Sequence, residues 1–306
     1  MKSRVSRSFW RTFLSQRWLF LMMLPGLAYF VIFRYIPMWG LLISLQDFSP
    51  FSGFAGSPWV GLDNFQRLFR DPNFFMILRN TLVLSAMNLF LYFPLPIIVA
   101  LLLNELRSRS LKSMVQTVIY IPHFISWVVV VGITFILLNP QSGLVTHLLI
   151  EMNIDPPNFL LRREWFRPLY IIQIIWKETG WGTIIFFAAL SGIDPSQYEA
   201  CEIDGGNRAH KMWYITLPEI KGVIITMFLL RLGNFLDTGF EQIFLLLNPM
   251  NREVAEVLDT FIFARAILHG QFSYSTAIGL FKSVLGVTLL LTANKLVKKA
   301  GEEGII

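Results

Sequence analysis

The sequence predicts an all-α integral membrane protein with six transmembrane helices. Of its 306 residues, 54% are hydrophobic and only 15% are charged, and the mean hydropathy is +0.56. Soluble domains carry about a quarter charged residues, so this composition excludes an ordinary soluble protein. Six apolar segments reach the roughly 20 residues that a helix needs to cross a bilayer.

The six predicted spans are distributed along the whole chain. They are Trp18–Leu45, Leu82–Leu103, Val115–Leu138, Pro168–Leu190, Val223–Leu247 and Ala277–Val297. Prolines inside several spans predict kinks rather than loops, because neighbouring groups in membrane helices satisfy the freed backbone atoms. The first span is too long for a signal-peptide core and no A-x-A-like site follows it, so we expect it to be retained as an anchor.

The distribution of basic residues predicts the orientation of these spans. Fourteen Lys and Arg residues lie in the two termini and in the connections on the same side of the membrane as the termini. Eight lie in the connections on the opposite side. Because cytoplasmic connections are enriched in Lys and Arg, we expect both termini in the cytoplasm. The net charge of +6 thus reflects membrane topology and not nucleic-acid binding. The predicted domains are a tail at 1–17, a six-span transmembrane domain at 18–297 and a tail at 298–306.

The three outer connections contain predicted structure of their own. The first, rich in aromatic residues, contains a short surface helix at Leu62–Phe69. The second contains a turn at Asp155-Pro156-Pro157, and the third an amphipathic helix at Glu253–Leu268.

A polar stretch at residues 194–218, here called the polar island, separates the fourth and fifth spans. Asp194 is a good N-cap before Pro195, and Gln197 can complete a capping box. We expect Gly205 to end this helix in the left-handed conformation. Asn207 then caps a second helix, which Pro218 is predicted to stop, and Cys201 is a small packing residue. The island therefore consists of two short helices on the cytoplasmic membrane surface.

The motifs of several enzyme classes are absent from the sequence. There is no G-x-x-x-x-G-K-[ST], H-E-x-x-H or G-x-S-x-G, and the four histidines are far apart without metal-ligand spacing. We therefore expect no catalysis, metal or cofactor in this chain. Any nucleotide chemistry must take place on a partner.

Ionisable residues within spans are expensive and often mark pathways or paired sites. The polar candidates of the fourth and fifth spans are Trp176, Lys177, Glu178, Trp181, Arg231, Asn234, Asp237, Thr238 and Glu241. Residues 234, 237, 238 and 241 have helical spacing and predict one polar stripe. Two interpretations stay open: either Lys177 or Arg231 pairs with Asp237 or Glu241 to lock helices together, or these side chains line a sugar path with the tryptophans stacked on sugar rings. Arg34 and Lys282 are expected to snorkel to the interface.

The polar island resembles the EAA loop of binding-protein-dependent ABC importer permeases. The matching residues are Glu199-Ala200-Cys201, Asp204-Gly205-Gly206 and Ile215-Thr216-Leu217-Pro218. Cys201 and Gly206 replace alanines of the family pattern, small residue for small residue. The resemblance implies the transmembrane domain of a type I ABC importer, in which the island is the helix coupled to an ATPase. The residues implied in coupling are Tyr198, Glu199, Ala200, Cys201, Asp204, Gly205, Leu217 and Pro218.

Other segments resemble the sugar-transporting, maltose-type branch of these permeases. Trp59–Phe65 is similar to its V-G-L-x-N-F segment, and Asn80-Thr81 to its N-T pair. The Phe240–Phe244 run is similar to the first permease of importers for oligosaccharides from pectin or xylan in Gram-positive bacteria.

The resemblance also implies the partners and the location of the chain. They are a second homologous permease, two ATPase subunits carrying ATP and Mg²⁺, an extracytoplasmic solute-binding protein, a carbohydrate substrate and the lipids of the bacterial cytoplasmic membrane. An ion-coupled secondary transporter, with Asp237 and Glu241 as coupling carboxylates, is the alternative hypothesis.

Overall fold

The structure is a computed structural model that describes residues 15–302, 304 and 305. The regular secondary structure of this part of the chain is helical, without a β-strand, and it contains a single isolated bridge between Gln46 and Trp59. The predicted tail at residues 1–17 lies largely outside the described residues.

We label the helices of the described part in chain order. They are α1 Arg17–Leu45, α2 Gly53–Gly56, α3 Asp63–Arg70, α4 Phe74–Glu105, α5 Arg109–Phe124, α6 Trp127–Leu137, α7 Leu144–Glu151, α8 Arg163–Ser191, α9 Pro195–Ile203, α10 208–233, α11 Phe240–Leu246, α12 Arg252–Ala255, α13 258–268 and α14 Phe272–Lys299. A π segment interrupts α4 and α10 without ending them, and π or 3₁₀ segments form the C-terminal parts of α1, α5 and α13.

Within the described residues, three helices are long and apolar enough to cross a membrane by length and composition: α1, α4 and α14. The bent pair α5–α6 makes a fourth if it is counted as one span. The predicted span Pro168–Leu190 lies inside the 29-residue helix α8, which carries Lys177 and Glu178 near its middle. All four predicted segments Trp18–Leu45, Leu82–Leu103, Pro168–Leu190 and Ala277–Val297 are thus helical.

The third predicted span is not the continuous, kinked helix expected from the sequence. The axes of α5 and α6 differ by 98° at a break after Phe124. Pro122 sits in a 3₁₀ turn at the end of α5, and the Ser126 side chain accepts a hydrogen bond from the Val129 backbone N–H at 3.4 Å. A proline followed by a serine N-cap therefore ends one helix and starts another. The prediction that prolines in the spans cause only kinks is wrong at this position.

The fifth predicted span, Val223–Leu247, is also broken. Helix α10 ends at Gly233, and α11 begins only at Phe240. The backbone between them leaves the helical conformation, and Gly239 has a φ of +85°, which few residues other than glycine adopt. The predicted polar stripe is consequently wrong, because Asn234, Asp237 and Thr238 lie in the break and not on one face of a helix.

Two smaller predictions about helix ends also need correction. Pro218 does not stop the second island helix, because a π turn at Met212–Thr216 widens the backbone and the helix continues through Leu217–Gly233. The predicted helix Glu253–Leu268 is interrupted at Glu256 and Val257, where the chain is extended. The predicted surface helix Leu62–Phe69 is confirmed as α3, displaced by one residue.

The buried core lies in three clusters between helices. One joins α4, α6, α8, α11 and α12 around Tyr170, a second joins α3, α4, α13 and α14 around Phe74, and a third joins α4, α8 and α10 around Ala100. Helix α1, in contrast, exposes apolar side chains along most of its length. Such a surface is expected of a helix that faces lipid.

Polar side chains tie the outer connections to the helices. The Asn64 side chain donates hydrogen bonds of 3.0 Å to the carbonyls of Ser44 and Gln46. The buried Asn80 amide donates to the carbonyls of Glu253 and Glu256, and Thr81 accepts a bond from the Leu258 N–H. The Trp59–Phe65 and Asn80-Thr81 segments therefore hold the outer connections in place.

Candidate functional site

The polar island is a helical hairpin held by its own side chains. The Asp194 carboxylate accepts a hydrogen bond from the Ser196 N–H at 2.9 Å, which confirms the predicted N-cap. Gly205 has a φ of +77° and ends α9 as expected. Asn207 and His210 form a reciprocal capping box at the start of α10. Gln197 does not take part in a capping box but donates to the Glu219 carboxylate at 2.9 Å.

Polar contacts across the hairpin fix the angle between its two helices. Lys211 on α10 forms an ion pair with Glu202 on α9. The hydrogen bond from Lys211 lowers the pKa of the Glu202 carboxyl, and the backbone hydrogen bond from Ser196 lowers that of Asp194. The Tyr198 hydroxyl lies 3.1 Å from the Thr216 hydroxyl. The island is thus a defined body and not a loose loop.

The two departures from the family pattern lie in contact with each other. A Cβ atom added at Gly206 would lie 2.3 Å from the Cys201 sulfur and 2.8 Å from the Cys201 carbonyl oxygen. The Gly206 N–H also donates a 2.8 Å hydrogen bond to that carbonyl. The larger residue at 201 is therefore matched by the smaller one at 206.

The outer surface of the island leaves several side chains without partners. Glu199, Ala200, Asp204 and Pro218 are exposed, and Leu217 is half-buried. Among the described residues, Glu199 makes no hydrogen bond or ion pair. Ile203, at the end of α9, is 87% exposed. The exposed face combines a free carboxylate with an apolar side chain, as a docking surface does.

Within the helical bundle, the break between α5 and α6 meets the middle of α8. Lys177 is buried, and its ammonium donates to the His123 carbonyl at 2.5 Å and lies 3.3 Å from Glu178. The Glu178 carboxylate lies 2.8 Å from Nδ1 of His123. The His123 ring in turn stacks on Trp181, with the ring centroids 4.3 Å apart. Three predicted path residues are therefore brought together by a histidine that the sequence did not single out.

One side of α8 borders a cavity of about 420 Å³, here called the aromatic cavity. Its polar and aromatic lining is Tyr92, Phe93, Trp181, Phe186, Arg231 and Asn234. Two of the predicted path residues, Trp181 and Asn234, therefore share this space. Trp176 does not, because it lines a separate hollow of about 380 Å³ with Val118 and Pro122.

The remaining path residues of the fifth span occupy three different environments. Asp237 forms an ion pair with Lys282, which also binds Asp259 at 2.5 Å. Thr238 is buried, and its carbonyl accepts a hydrogen bond from Tyr170 at 2.7 Å. Glu241 is exposed on the first turn of α11.

These contacts correct the expected charge pairing. Lys177 pairs with Glu178, and Asp237 pairs with Lys282, so neither Lys177 nor Arg231 pairs with Asp237 or Glu241. The Lys282 side chain is 15% exposed between two carboxylates, and the expectation that it snorkels to the interface is wrong.

Gln242, a further polar residue of the fifth predicted span, belongs to a buried polar network that the sequence did not predict. Gln242 donates to Gln173 at 2.8 Å and to the Tyr170 carbonyl at 3.0 Å. Gln173 donates to Thr134, and Asn88 donates to the Tyr170 hydroxyl, both at 2.6 Å. An amide in an apolar run was the available signal, since such a group must find a partner away from lipid.

Comparison with protein families gives this arrangement its identity. Residues 92–300 match the model of the binding-protein-dependent transport system inner membrane component family. The chain belongs to this family. It is a multi-pass membrane protein, and the members of its family are the non-catalytic permease subunits of ABC transporters.

Two similar proteins come from Bacillus subtilis. The polygalacturonan/rhamnogalacturonan transport system permease protein YteP is 54% identical over 95% of this chain and 91% of its own length. Protein LplB is 50% identical over 94% of this chain and 91% of its own length.

The fold is similar to that of a solved ABC importer permease. A chain in the crystal structure of a bacterial alginate ABC transporter, in complex with an alginate pentasaccharide-bound periplasmic protein, aligns with a TM-score of 0.89. It is 36% identical, and the alignment covers 97% of this chain and 99% of that one. The type I importer fold predicted by the resemblance is thereby confirmed. None of these comparisons supports the ion-coupled alternative.

Proposed function

We propose that this chain is one of two permeases that form the path of an ATP-driven carbohydrate importer in the bacterial cytoplasmic membrane. The substrate is an oligosaccharide delivered by an extracytoplasmic solute-binding protein. ATP and Mg²⁺ act on two partner ATPase subunits, and this chain contributes no catalytic group. The named substrates of the similar proteins, polygalacturonan, rhamnogalacturonan and alginate, support a carbohydrate.

The observation that carries this proposal is the exposed face of the polar island. Helix α9 is capped at both ends and joined to α10 by the Glu202–Lys211 ion pair, and α10 continues from the island into the helical bundle. A movement imposed on α9 would therefore reach the break at residues 234–239 along one helix. Glu199, unpaired among the described residues, and the exposed Ile203 supply the polar and apolar contacts for an ATPase.

The break at the end of α10 connects the polar island and α10 with the substrate path. Asn234, its first residue, lines both the aromatic cavity and a neighbouring hollow of about 290 Å³ that includes Asp237 and Lys282. Irregular backbone at membrane depth is tolerated where it lines a cavity. A rigid helix that ends at such a cavity can transmit a rigid-body movement to it. We assign Trp181 and Asn234 to the path, with both termini and the island on the cytoplasmic side.

Reconstitution of the transporter in proteoliposomes tests this function. The chain is combined with a second permease, the ATPase and a solute-binding protein from the same gene neighbourhood, and uptake of a labelled plant-cell-wall oligosaccharide mixture is measured. We expect uptake that requires Mg-ATP and every subunit. Uptake by this chain alone under an ion gradient would refute the proposal, as would an assembled complex that imports no carbohydrate.

A further inference from the structure

The aromatic cavity contains a cation whose role the proposed function leaves open. Arg231 lines the cavity from α10, and Trp181 lines it from α8. It lies 14 residues after Leu217, about 20 Å along a helix at 1.5 Å per residue. That distance places the guanidinium well inside a hydrocarbon core of about 30 Å.

Arg231 has no anionic partner in the described part of the chain. It makes no hydrogen bond or ion pair there, and its contact is with the face of Tyr92, 5.3 Å from the ring centroid. Glu178 on α8 is bound by Lys177 and His123, and Asp237 is bound by Lys282. Glu241 is exposed on α11 and forms no ion pair with Arg231. A charged side chain at membrane depth is expensive, and it usually marks a pathway when it is left unpaired.

The contact with Tyr92 fixes how the guanidinium is presented. The Tyr92 hydroxyl donates to the Glu178 carbonyl at 3.2 Å, so the ring beneath Arg231 is held in position. An arginine stacked on an aromatic face keeps the N–H groups on its edge free, and this planar fork matches a carboxylate with two parallel hydrogen bonds. The cavity therefore offers a pre-oriented donor for a carboxylate.

Two other residues that line the cavity suit the sugar ring that would carry such a carboxylate. Trp181 is 46% exposed although His123 stacks on it, so part of its indole remains accessible. Aromatic surfaces bind the apolar faces of sugar rings, and the Asn234 amide can hydrogen-bond to their hydroxyls. A cavity of about 420 Å³ is within the size range of small-molecule sites.

We propose that the aromatic cavity is a subsite for an acidic sugar, in which Arg231 binds the carboxylate while Trp181 and Asn234 contact the ring. This inference rests on the proposed function and adds the substrate class, a uronic-acid-containing oligosaccharide. Arg231 then determines specificity for charge within the membrane, in addition to any selection by the solute-binding protein.

Matched acidic and neutral substrates test this assignment in the reconstituted transporter. The probes are trigalacturonate and the same trisaccharide with its carboxyl groups reduced to primary alcohols. We expect Arg231→Gln to lower the acidic uptake rate about 10- to 100-fold, as for loss of a charge-assisted pair, and to leave the neutral rate nearly unchanged. Lys221→Gln, on the same helix but outside the cavity, should not change the ratio of the two rates.

The ratio of acidic to neutral uptake decides between the outcomes. An unchanged ratio in assembled Arg231→Gln complexes overturns the subsite, and so does a wild-type complex that imports only the neutral trisaccharide. If Arg231→Gln does not assemble, Arg231→Lys replaces it, because lysine keeps the charge but loses the planar fork. A selective fall in acidic uptake supports the subsite, and an equal fall or no fall overturns it. Absence of any carbohydrate uptake by the wild type refutes the proposed function instead.

Discussion

The polar island and the interior of the bundle follow different rules of folding. In the island, Asp194, Gly205 and Asn207 take the cap and turn positions that their sequence order predicts. In the interior, the two helices interrupted at Ile125–Ser126 and at residues 234–239 were predicted to be continuous. The island is specified by residues within a few positions of each other, whereas the interior depends on partners far apart in the chain.

The close approach of α5 to Gly180 of α8 gives the strongest way to test this contrast. A Cβ atom at Gly180 of α8 would lie 1.8 Å from the Ile119 carbonyl oxygen of α5. Gly180→Ala should therefore separate the two helices and destabilise the protein by about 3 kcal/mol, at the upper end of the range for overpacking. The measurement is the thermal unfolding midpoint in detergent.

Gly279→Ala is the matched control for this substitution. Gly279 also lies inside a long helix, α14, but a Cβ there would have no atom within 4 Å. We expect its unfolding midpoint to be equal to or above that of the wild type. Equal midpoints for the two variants would show that the α5–α8 contact is not close-packed.

The interior breaks could not be predicted because the groups that stabilise them are distant in sequence. The carbonyl of Thr238 is bound by Tyr170, and Lys282 reaches both Asp237 and Asp259. An apolar sequence has the same hydropathy whether its helix is continuous or contains a break that distant partners stabilise. Hydropathy therefore predicts the presence of a span but not its continuity. The helical spacing at 234, 237, 238 and 241 was for the same reason a coincidence of sequence.

The candidate site likewise has a part that the sequence predicted and a part that it did not. The island was located and its caps were assigned from the sequence, because capping depends on side chains within three residues. The sequence also identified Trp181 and Asn234 as path candidates, and the structure places both on one cavity. It could not indicate that His123 would stack on Trp181, since 58 residues and a 98° bend separate the two in the chain.

A substitution at Gly205 tests whether the island transmits movement from an ATPase to the helices. Its expected effect on the stability of the fold is smaller than that of Gly180→Ala. Gly205→Val places a β-branched residue at a φ of +77°, a strain of about 1–2 kcal/mol. The correctly formed turn should then be about 5- to 30-fold less populated relative to its alternatives. We expect the ATPase activity stimulated by the solute-binding protein to fall while the spans remain folded.

Gly205→Asn provides the comparison for this prediction. Asparagine adopts the left-handed conformation more readily than other residues and also occurs at helix C-termini. Stimulated ATPase activity should therefore stay closer to the wild-type value than in Gly205→Val. If valine and asparagine have the same effect, the backbone conformation at this position does not limit coupling.

The smallest expected effect is the pH dependence of the stability of the island. The folded-state pKa values of Asp194 and Glu202 lie below their ordinary values of 3.8 and 4.5. Their stabilisation of the folded island is therefore complete above those values and is lost as the pH falls through the lowered folded-state values. Deuterium exchange of the backbone amides of α9, corrected for the intrinsic rate, should accelerate below about pH 4, while the amides of the buried part of α8 remain protected.

Asp194→Asn separates the cap from its charge. Asparagine caps a helix about as well as aspartate but does not titrate, so the variant should lose part of the acid-induced increase in exchange. The residual increase belongs to the Glu202–Lys211 pair and should disappear in Asp194→Asn/Glu202→Gln. An identical pH profile in the wild type and the double variant would mean that contacts other than these two carboxylates hold the island. The conformation of the island would then depend on tertiary contacts, as that of the interior does.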